Sequence, residues 1–466
     1  MKDSYLMHHS LISPPVNRAL IAGLACFVIC VVWASQLMAQ SRGGPVLIRD
    51  TEIEGILRDW SEPVIKAANL NPDSVNILIV QDPNINAFVA GGQNVFLYSG
   101  LLIKTENASE ALGVIAHELG HISGGHLVRT RGAMQSASYE AILGTILGLG
   151  AAVLTGEGQI GAAIATGSQS MAMGRFLAFS RVQESSADQA GFGFLTRAGL
   201  TTKGMVSFMQ KLQDEELLPP SQQSEYVRTH PLTRDRVEAL EAARARHGSD
   251  GKTPAAWADQ HARMNAKFIG FIHPERVSWT YDDRDRSIPA DYARAIAAYR
   301  QNNIDQALSR MDGLIAREPD NPFFYELKGQ MLVDFGRIEQ ALPYYEQALS
   351  RKNDAPLMRI AYAHALIESG GTDHDRLRTA IRNLQQALRD EPRTPRIHRL
   401  LATAHGRMNE NGAARLHLAE EAVLQRRLPQ ARAHANAALE ALPEGTALRI
   451  RAQDLLNHLE NVDPQD

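Results

Sequence analysis

Two histidines four residues apart with a glutamate beside the first, His117-Glu118-Leu119-Gly120-His121, are the residues of this chain best spaced for metal chemistry. On a helix both imidazoles project from one face and can grip one ion, and Glu118 then sits next to it. Zinc suits imidazole ligands, keeps an open position for water in catalytic sites and lowers that water's pKa to about 7, where a neighbouring carboxylate can take its proton. That is peptide hydrolysis in outline.

A catalytic zinc site of this kind needs a third protein ligand. Residues 179–198, FSRVQESSADQAGFGFLTRA, carry Glu184 and Asp188 at another four-residue spacing on a predicted helix. A carboxylate on a helix that follows HExxH is the expected third ligand, which makes Glu184 the partner of His117 and His121. Asp188 would then accept from a ligand histidine and orient it. Ala187, Ala190, Gly191 and Gly193 mark the helix as one that packs closely. The alternative of a third histidine six residues after His121 fails, because position 127 is Leu. His126 falls one place short and reads as a polar residue near the helix end.

The elements that must hold these groups can be traced outward from the motif. Asn107 followed three residues later by Glu110 reads as a capping box, and Leu112, Ile115, Leu119 and Ile122 recur at helical spacing. Residues 47–69 have helical periodicity interrupted at Pro63, so one or two lead-in helices are expected. Three β-type runs follow, Val75 to Val80, Ala87 to Ala90 and Asn94 to Tyr98, punctuated by Asp82-Pro83-Asn84 and Gly91-Gly92. They predict a small antiparallel sheet, whose last strand could border the cleft as an edge and accept an extended peptide, or lie fully paired inside the sheet. Residues 141–167 are Ala- and Gly-rich with one charge, Glu157. Their unbroken apolar stretch is too short to span a bilayer, which leaves a cover over the cleft or a peripheral contact with lipid.

The 466 residues are 44% apolar, enough for two or three domains with real cores, and the net charge of -4 argues against nucleic acid as a partner. Both cysteines, Cys26 and Cys30, fall in the first forty residues, so the remainder has no thiol for a disulfide or a thiolate metal site. Residues 1–39 read as a signal peptide: Lys2 and Arg18 flank an apolar run over 19–33, and Ala34 to Ala39 offers a small-residue exit. The same run could instead stay on as an N-terminal anchor. In either case the bulk of the chain is exported.

The C-terminal third repeats itself. Ala307 and Pro319, Ala380 and Pro392, and Ala431 and Pro443 are each twelve residues apart, and Ala341 lies 34 residues after Ala307. A small residue where two helices cross and a proline that ends the pair are tetratricopeptide positions, and such arrays present a concave surface to peptides or proteins. Seven arginines between Arg376 and Arg399 could make one face basic.

Taken in order, His117-Glu118-x-x-His121, Glu184-x-x-Ala187-Asp188 and Thr229-His230-Pro231 with Arg236 resemble the zinc endopeptidases typified by HtpX and the CAAX prenyl proteases, over about residues 45–245. The resemblance implies an α+β zincin-like (gluzincin) domain, mostly helical with a small sheet, followed by an all-α tetratricopeptide solenoid. It implies one zinc ion per chain held by His117, His121 and Glu184, with Glu118 as general base. His230 and Arg236 would lie at the cleft, His230 either polarising the scissile carbonyl or capping the metal at rest. Asn86, Ala87 and Phe88 would meet substrate. The boundaries expected are 1–39 for the signal, 40–270 for the peptidase, 271–288 for a linker and 289–466 for the repeats. The domain order further resembles exported proteases of the Gram-negative periplasm, which implies misassembled outer-membrane proteins as substrates and the β-barrel assembly machinery as partner. A chaperone or assembly adaptor with its zinc site kept shut is the alternative.

Overall fold

The computed structural model describes residues 46–126, 167–219, 221–231, 234–247 and 250–461, with backbone alone over 167–180 and at 214 and 216. The expected targeting segment 1–39 and nearly all of the Gly-rich stretch 141–167 lie outside the described residues. Among the described residues no helix is long and apolar enough to cross a membrane.

The peptidase half is built on one sheet and a stack of helices. Strand β1 (Leu47–Ile48) leads into helix α1 (Thr51–Ala67), then β2 (Asn76–Val80), β3 (Ala87–Ala90) and β4 (Asn94–Tyr98). Helix α1 runs unbroken through Pro63, where an interruption is expected from sequence. Burial of Trp60, Val64 and Ile65 on either side of the proline outweighs the one backbone hydrogen bond that its missing N–H costs. The strand order is β1-β2-β4-β3, and β2 runs parallel to β4, so the sheet is mixed and not purely antiparallel. Strand β4 is therefore internal, and β3 is the edge. Phe88 on β3 stacks on Phe96 of β4 with ring centroids 4.9 Å apart.

After β4 come α2 (Ser99–Lys104), α3 (Ala108–Ser123), α4 (Gly167–Arg197), α5 (Lys203–Gln213), α6 (Glu225–Thr229), α7 (Arg234–His247) and α8 (Ala256–Ile272). The start of α3 is fixed as the sequence predicts. Asn107 accepts from the Glu110 N–H at 3.2 Å, and Glu110 reaches back to accept from the Glu106 N–H at 2.8 Å. The buried Glu110 also pairs with Lys211 of α5 at 2.7 Å.

Beyond α8, a short 3-10 turn (Pro274–Arg276) and α9 (Val277–Thr280) lead to ten helices, the first eight in four successive pairs. These are α10 (Ile288–Arg300) with α11 (Ile304–Arg317), α12 (Pro322–Asp334) with α13 (Ile338–Arg351), α14 (Pro356–Gly370) with α15 (His374–Asp390), and α16 (Pro395–Arg407) with α17 (Asn411–Leu424), followed by α18 (Leu428–Ala441), which packs chiefly on α17, and α19 (Ala447–Asn461). Ala307, Ala341, Ala380 and Ala431 are all fully buried at the crossings. Three of the seven arginines of the expected basic face are paired within the array: Arg376 with Glu339, Arg378 with Asp375 and Arg399 with Glu421.

The segment 271–288 is short and partly structured. Val277 is buried in a core to which α8 gives Ala266 and α10 gives Tyr292 and Ile296. Charge reinforces this junction. Lys267 of α8 is buried and lies 2.7 Å from Asp50 and 3.1 Å from Glu52, at the start of α1, and Tyr292 donates its hydroxyl to Glu52 at 3.0 Å. Thr51 donates to Glu326 of α12 at 3.2 Å, and Arg49 reaches Glu391, next to α15, at 2.6 Å.

Burial and the neighbouring Asp50 carboxylate push the Glu326 carboxyl up to about 8. A carboxyl that holds its proton more tightly folded than unfolded adds stability at low pH and loses it as pH rises through its folded value. Glu326→Gln, which is always neutral, is expected to match wild type near pH ~4.5 and to gain on it steadily up to pH ~8. Melting temperatures of the two proteins that differ by the same amount across that range would contradict the assignment.

Candidate metal centre

Helices α3 and α4 cross at glycine. A Cβ at Gly120 would stand 2.5 Å from the Ala187 carbonyl oxygen, and one at Gly191 would stand 2.8 Å from that of Ala116. Only residues without a side chain allow this approach. Gly193 is different, since a Cβ there would meet only the end of Arg197. The crossing sets two pairs with four-residue spacing face to face: His117 and His121 on α3, Glu184 and Asp188 on α4.

Four donors converge there. His117 Nε2 lies 3.1 Å from His121 Nε2 and 3.3 Å from Glu184 Oε2, and His121 Nε2 lies 3.3 Å from Glu184 Oε1. His230, immediately after α6, turns Nδ1 into the group at 3.4 Å from His117 Nε2 and 3.2 Å from Glu184 Oε2. A tetrahedral ion with bonds of about 2.0–2.1 Å sets its ligands about 3.3–3.4 Å apart, close to the 3.1–3.4 Å found between these nitrogens and the two Glu184 oxygens. Three imidazole nitrogens and a carboxylate at these distances could together hold one metal ion.

The groups behind the donors are equally ordered. Asp188 Oδ1 is 2.9 Å from His117 Nδ1. Arg236 of α7 donates Nε to Asp188 Oδ2 at 2.6 Å and Nη1 to the Pro231 carbonyl at 2.7 Å, with Glu184 Oε2 also 3.1 Å from Nη1. Arg236 is buried, so it stands behind the donors and does not line an open cleft. Burial pushes the Glu184 carboxyl up, but His230, His117 and His121 outweigh it and hold it well below the usual carboxylate range. Asp188 is likewise raised by burial and lowered further by Arg236 and His117. Glu118 is fully buried, and neither of its oxygens has a hydrogen-bond partner among the described residues. His230 Nε2 stands 3.6 Å from Glu118 Oε1.

Comparison with known proteins agrees with this geometry. The description of peptidase family M48 matches residues 51–244, and tetratricopeptide repeat descriptions match 292–356 and 332–402. The chain is 31% identical to metalloprotease LoiP of Escherichia coli over 189 residues, 39% of this chain and 67% of that protein. The chain belongs to peptidase family M48. It is also 28% identical over 338 residues to the beta-barrel assembly-enhancing protease of Yersinia pestis, covering 71% of this chain and 68% of the relative. The protein of that name from Escherichia coli is 26% identical over 342 residues, with the same coverage. The chain is thus an M48 metalloprotease joined to a C-terminal tetratricopeptide array.

Two residues of the M48 domain stand at the centre, His126, which the sequence reading set aside, and Tyr226, which it did not consider. His126 is buried with Nδ1 3.0 Å from His121 Nδ1, which backs His121 much as Asp188 backs His117. The ring of Tyr226 lies 4.7 Å from that of His230. Neither has a motif signature; His126 could have been found only by asking what holds the second nitrogen of His121. The expected substrate contacts are arranged unevenly. Asn86 is buried and donates to Glu225 at 3.0 Å, and the Ala87 carbonyl lies 3.2 Å from His230 Nε2, which leaves Phe88 the more open of the three.

Proposed function

We propose that the chain is an exported zinc endopeptidase that hydrolyses peptide bonds of misassembled outer-membrane proteins in the periplasm of a Gram-negative bacterium. Its repeats dock on the β-barrel assembly machinery, and residues 141–167 are available for peripheral membrane contact. The reading of export rests on the signal-like pattern of 1–39, and that of the biological role on the names and shared domain order of the relatives. The observation that carries the chemistry is the four-donor cluster with a buried carboxylate beside it that accepts no hydrogen bond among the described residues.

His117, His121 and Glu184 would hold the ion, with His230 as a fourth ligand at rest. A zinc ion so held supplies a Lewis acid and an acidified water. Glu118 takes the proton from the attacking water and returns it to the leaving amine, which the absence of a competing hydrogen bond among the described residues favours. Asp188 and Arg236 are positioning residues: Asp188 fixes the ring of His117, and Arg236 fixes both carboxylates. The outer edge of β3 receives the substrate as an added strand. The Asn86 carbonyl accepts from Tyr98 of β4 at 3.0 Å, so the next carbonyl, that of Ala87, points to the open edge.

His230 joins the latch to that edge. One ring nitrogen belongs to the donor cluster and the other lies against the Ala87 carbonyl. The helix that carries His230 is docked on the same strand, because the Tyr226 N–H donates to the Ile85 carbonyl at 3.0 Å. A peptide that pairs with β3 therefore competes with His230 for the strand and frees the fourth position. The latched geometry is also what an assembly adaptor with a shut site would have. Cleavage of an unfolded outer-membrane barrel protein by the full chain separates the two readings. We expect chelation to abolish cleavage, zinc to restore it, and His230→Ala to raise the basal rate several-fold with zinc retained. Cleavage indifferent to chelation would refute a metallopeptidase, and a lower rate in His230→Ala at unchanged zinc would refute the latch.

A further inference from the structure

The fourth helix pair of the array buries three histidines, His398 and His405 on α16 and His417 on α17. His398 Nδ1 faces His417 Nδ1 at 3.3 Å, and Glu420 Oε2 lies 3.0 Å from each. The three donor atoms thus form a triangle with edges of 3.3, 3.0 and 3.0 Å, close to those of the peptidase cluster and to the edge of about 3.3 Å that a tetrahedral ion imposes. Two imidazole nitrogens that face each other over one carboxylate oxygen leave their N–H groups crowded on that oxygen. A cation at the centre instead uses all three lone pairs at once.

The surroundings are those of a held site. Glu420 Oε1 is fixed by Arg451 Nε of α19 at 2.5 Å. The ring of His405 stacks on that of His417 at 5.5 Å and 17°, and His405 Nδ1 is itself 2.5 Å from Glu410. Such outer contacts orient ligand side chains and are half of a working metal site. Glu420 keeps 12% of its side-chain surface exposed and Arg451 45%, which leaves an ion a way in from solvent. The array also needs help at this end. Its last apolar clusters are small and rich in alanine, Leu416 with Ala438, Leu442 and Ala452, and Ala422 with Ala431 and Leu459. A metal can replace the missing core as a staple.

We propose that His398, His417 and Glu420 form a second metal site, for a divalent transition-metal ion of the zinc type, which pins α16 to α17. Two imidazoles and one carboxylate, with no thiolate, select zinc and its neighbours over calcium or magnesium. The open fourth position takes water. Because each repeat contacts only its neighbours, the stabilisation is felt in the C-terminal pairs and leaves the peptidase cluster unchanged.

Cobalt(II) is the probe, since its visible spectrum reports nitrogen and oxygen donors. Full-length His117→Ala/His121→Ala, stripped of the peptidase ligands, is expected to bind one cobalt per chain, and adding Glu420→Gln or His398→Gln is expected to abolish that binding. In the otherwise native chain the count is expected to fall from two to one with Glu420→Gln, at unchanged helical circular dichroism and unchanged peptide cleavage. The native-chain comparison keeps the test decisive even where the double variant fails to fold. No cobalt bound by a folded double variant, or the same count in wild type and Glu420→Gln, would overturn the proposal.

Discussion

Glu118→Gln is expected to lower peptide hydrolysis by about 10²–10⁴-fold, the range that a positioned general base contributes, with metal binding unchanged. The amide has nearly the shape of the carboxylate but cannot take a proton. The carboxylate is buried without a hydrogen-bond partner among the described residues, an arrangement that costs stability and that folding alone gives no reason to retain. Glu118→Gln should therefore melt at or above the wild-type temperature while losing activity. Measured together, turnover of an unfolded barrel substrate, zinc content and melting temperature distinguish this from a structural role. A variant that cleaves at the wild-type rate would remove Glu118 from the chemistry, and one that loses stability together with activity would make it a structural residue.

The second large effect lies far from the donors. Lys267→Ala is expected to destabilise the protein by about 3–5 kcal/mol, the cost of removing one partner from a buried ion pair. Lys267 lies between Asp50 and Glu52 at the start of α1, and Glu52 is nearly fully buried, so its charge would be left uncompensated. A loss of that size is a large part of the roughly 5–15 kcal/mol that ordinarily holds a domain together. Tyr292 of α10 shares Glu52, so the loss should also loosen the first repeat from the peptidase half. Denaturant unfolding with probes in each half measures both effects. A midpoint displaced by less than about 1 kcal/mol, the value typical of an exposed pair, would show that the cluster is solvated.

Different parts of this molecule were legible in the sequence to different degrees. The helix of the HExxH motif and the second helix with Glu184 and Asp188 could be read because helical periodicity and i, i+4 spacing are local properties. The bounds of β3 and β4 agree with the sequence reading because Gly91-Gly92 and the alternating runs mark them. What could not be read was order in space. That β4 slips between β2 and β3, and so hands the edge to β3, depends on pairing between distant residues. The same holds for Arg236, whose approach from behind Asp188 is set by the docking of α7. The boundary expected at residue 270 lies inside α8. The buried contacts of α8 run across it, through Lys267 to Tyr292, and no spacing rule reports a charge that pairs with partners more than 200 positions away.

The central claim is that one zinc ion sits among His117, His121, Glu184 and His230 in the resting protein. Anomalous diffraction from crystals of the zinc-loaded full chain, recorded on either side of the zinc edge, tests it directly. The expected result is a peak about 2.0–2.1 Å from the Nε2 atoms of His117 and His121, from a Glu184 oxygen and from His230 Nδ1. Zinc-loaded crystals with no peak among these four residues would contradict it.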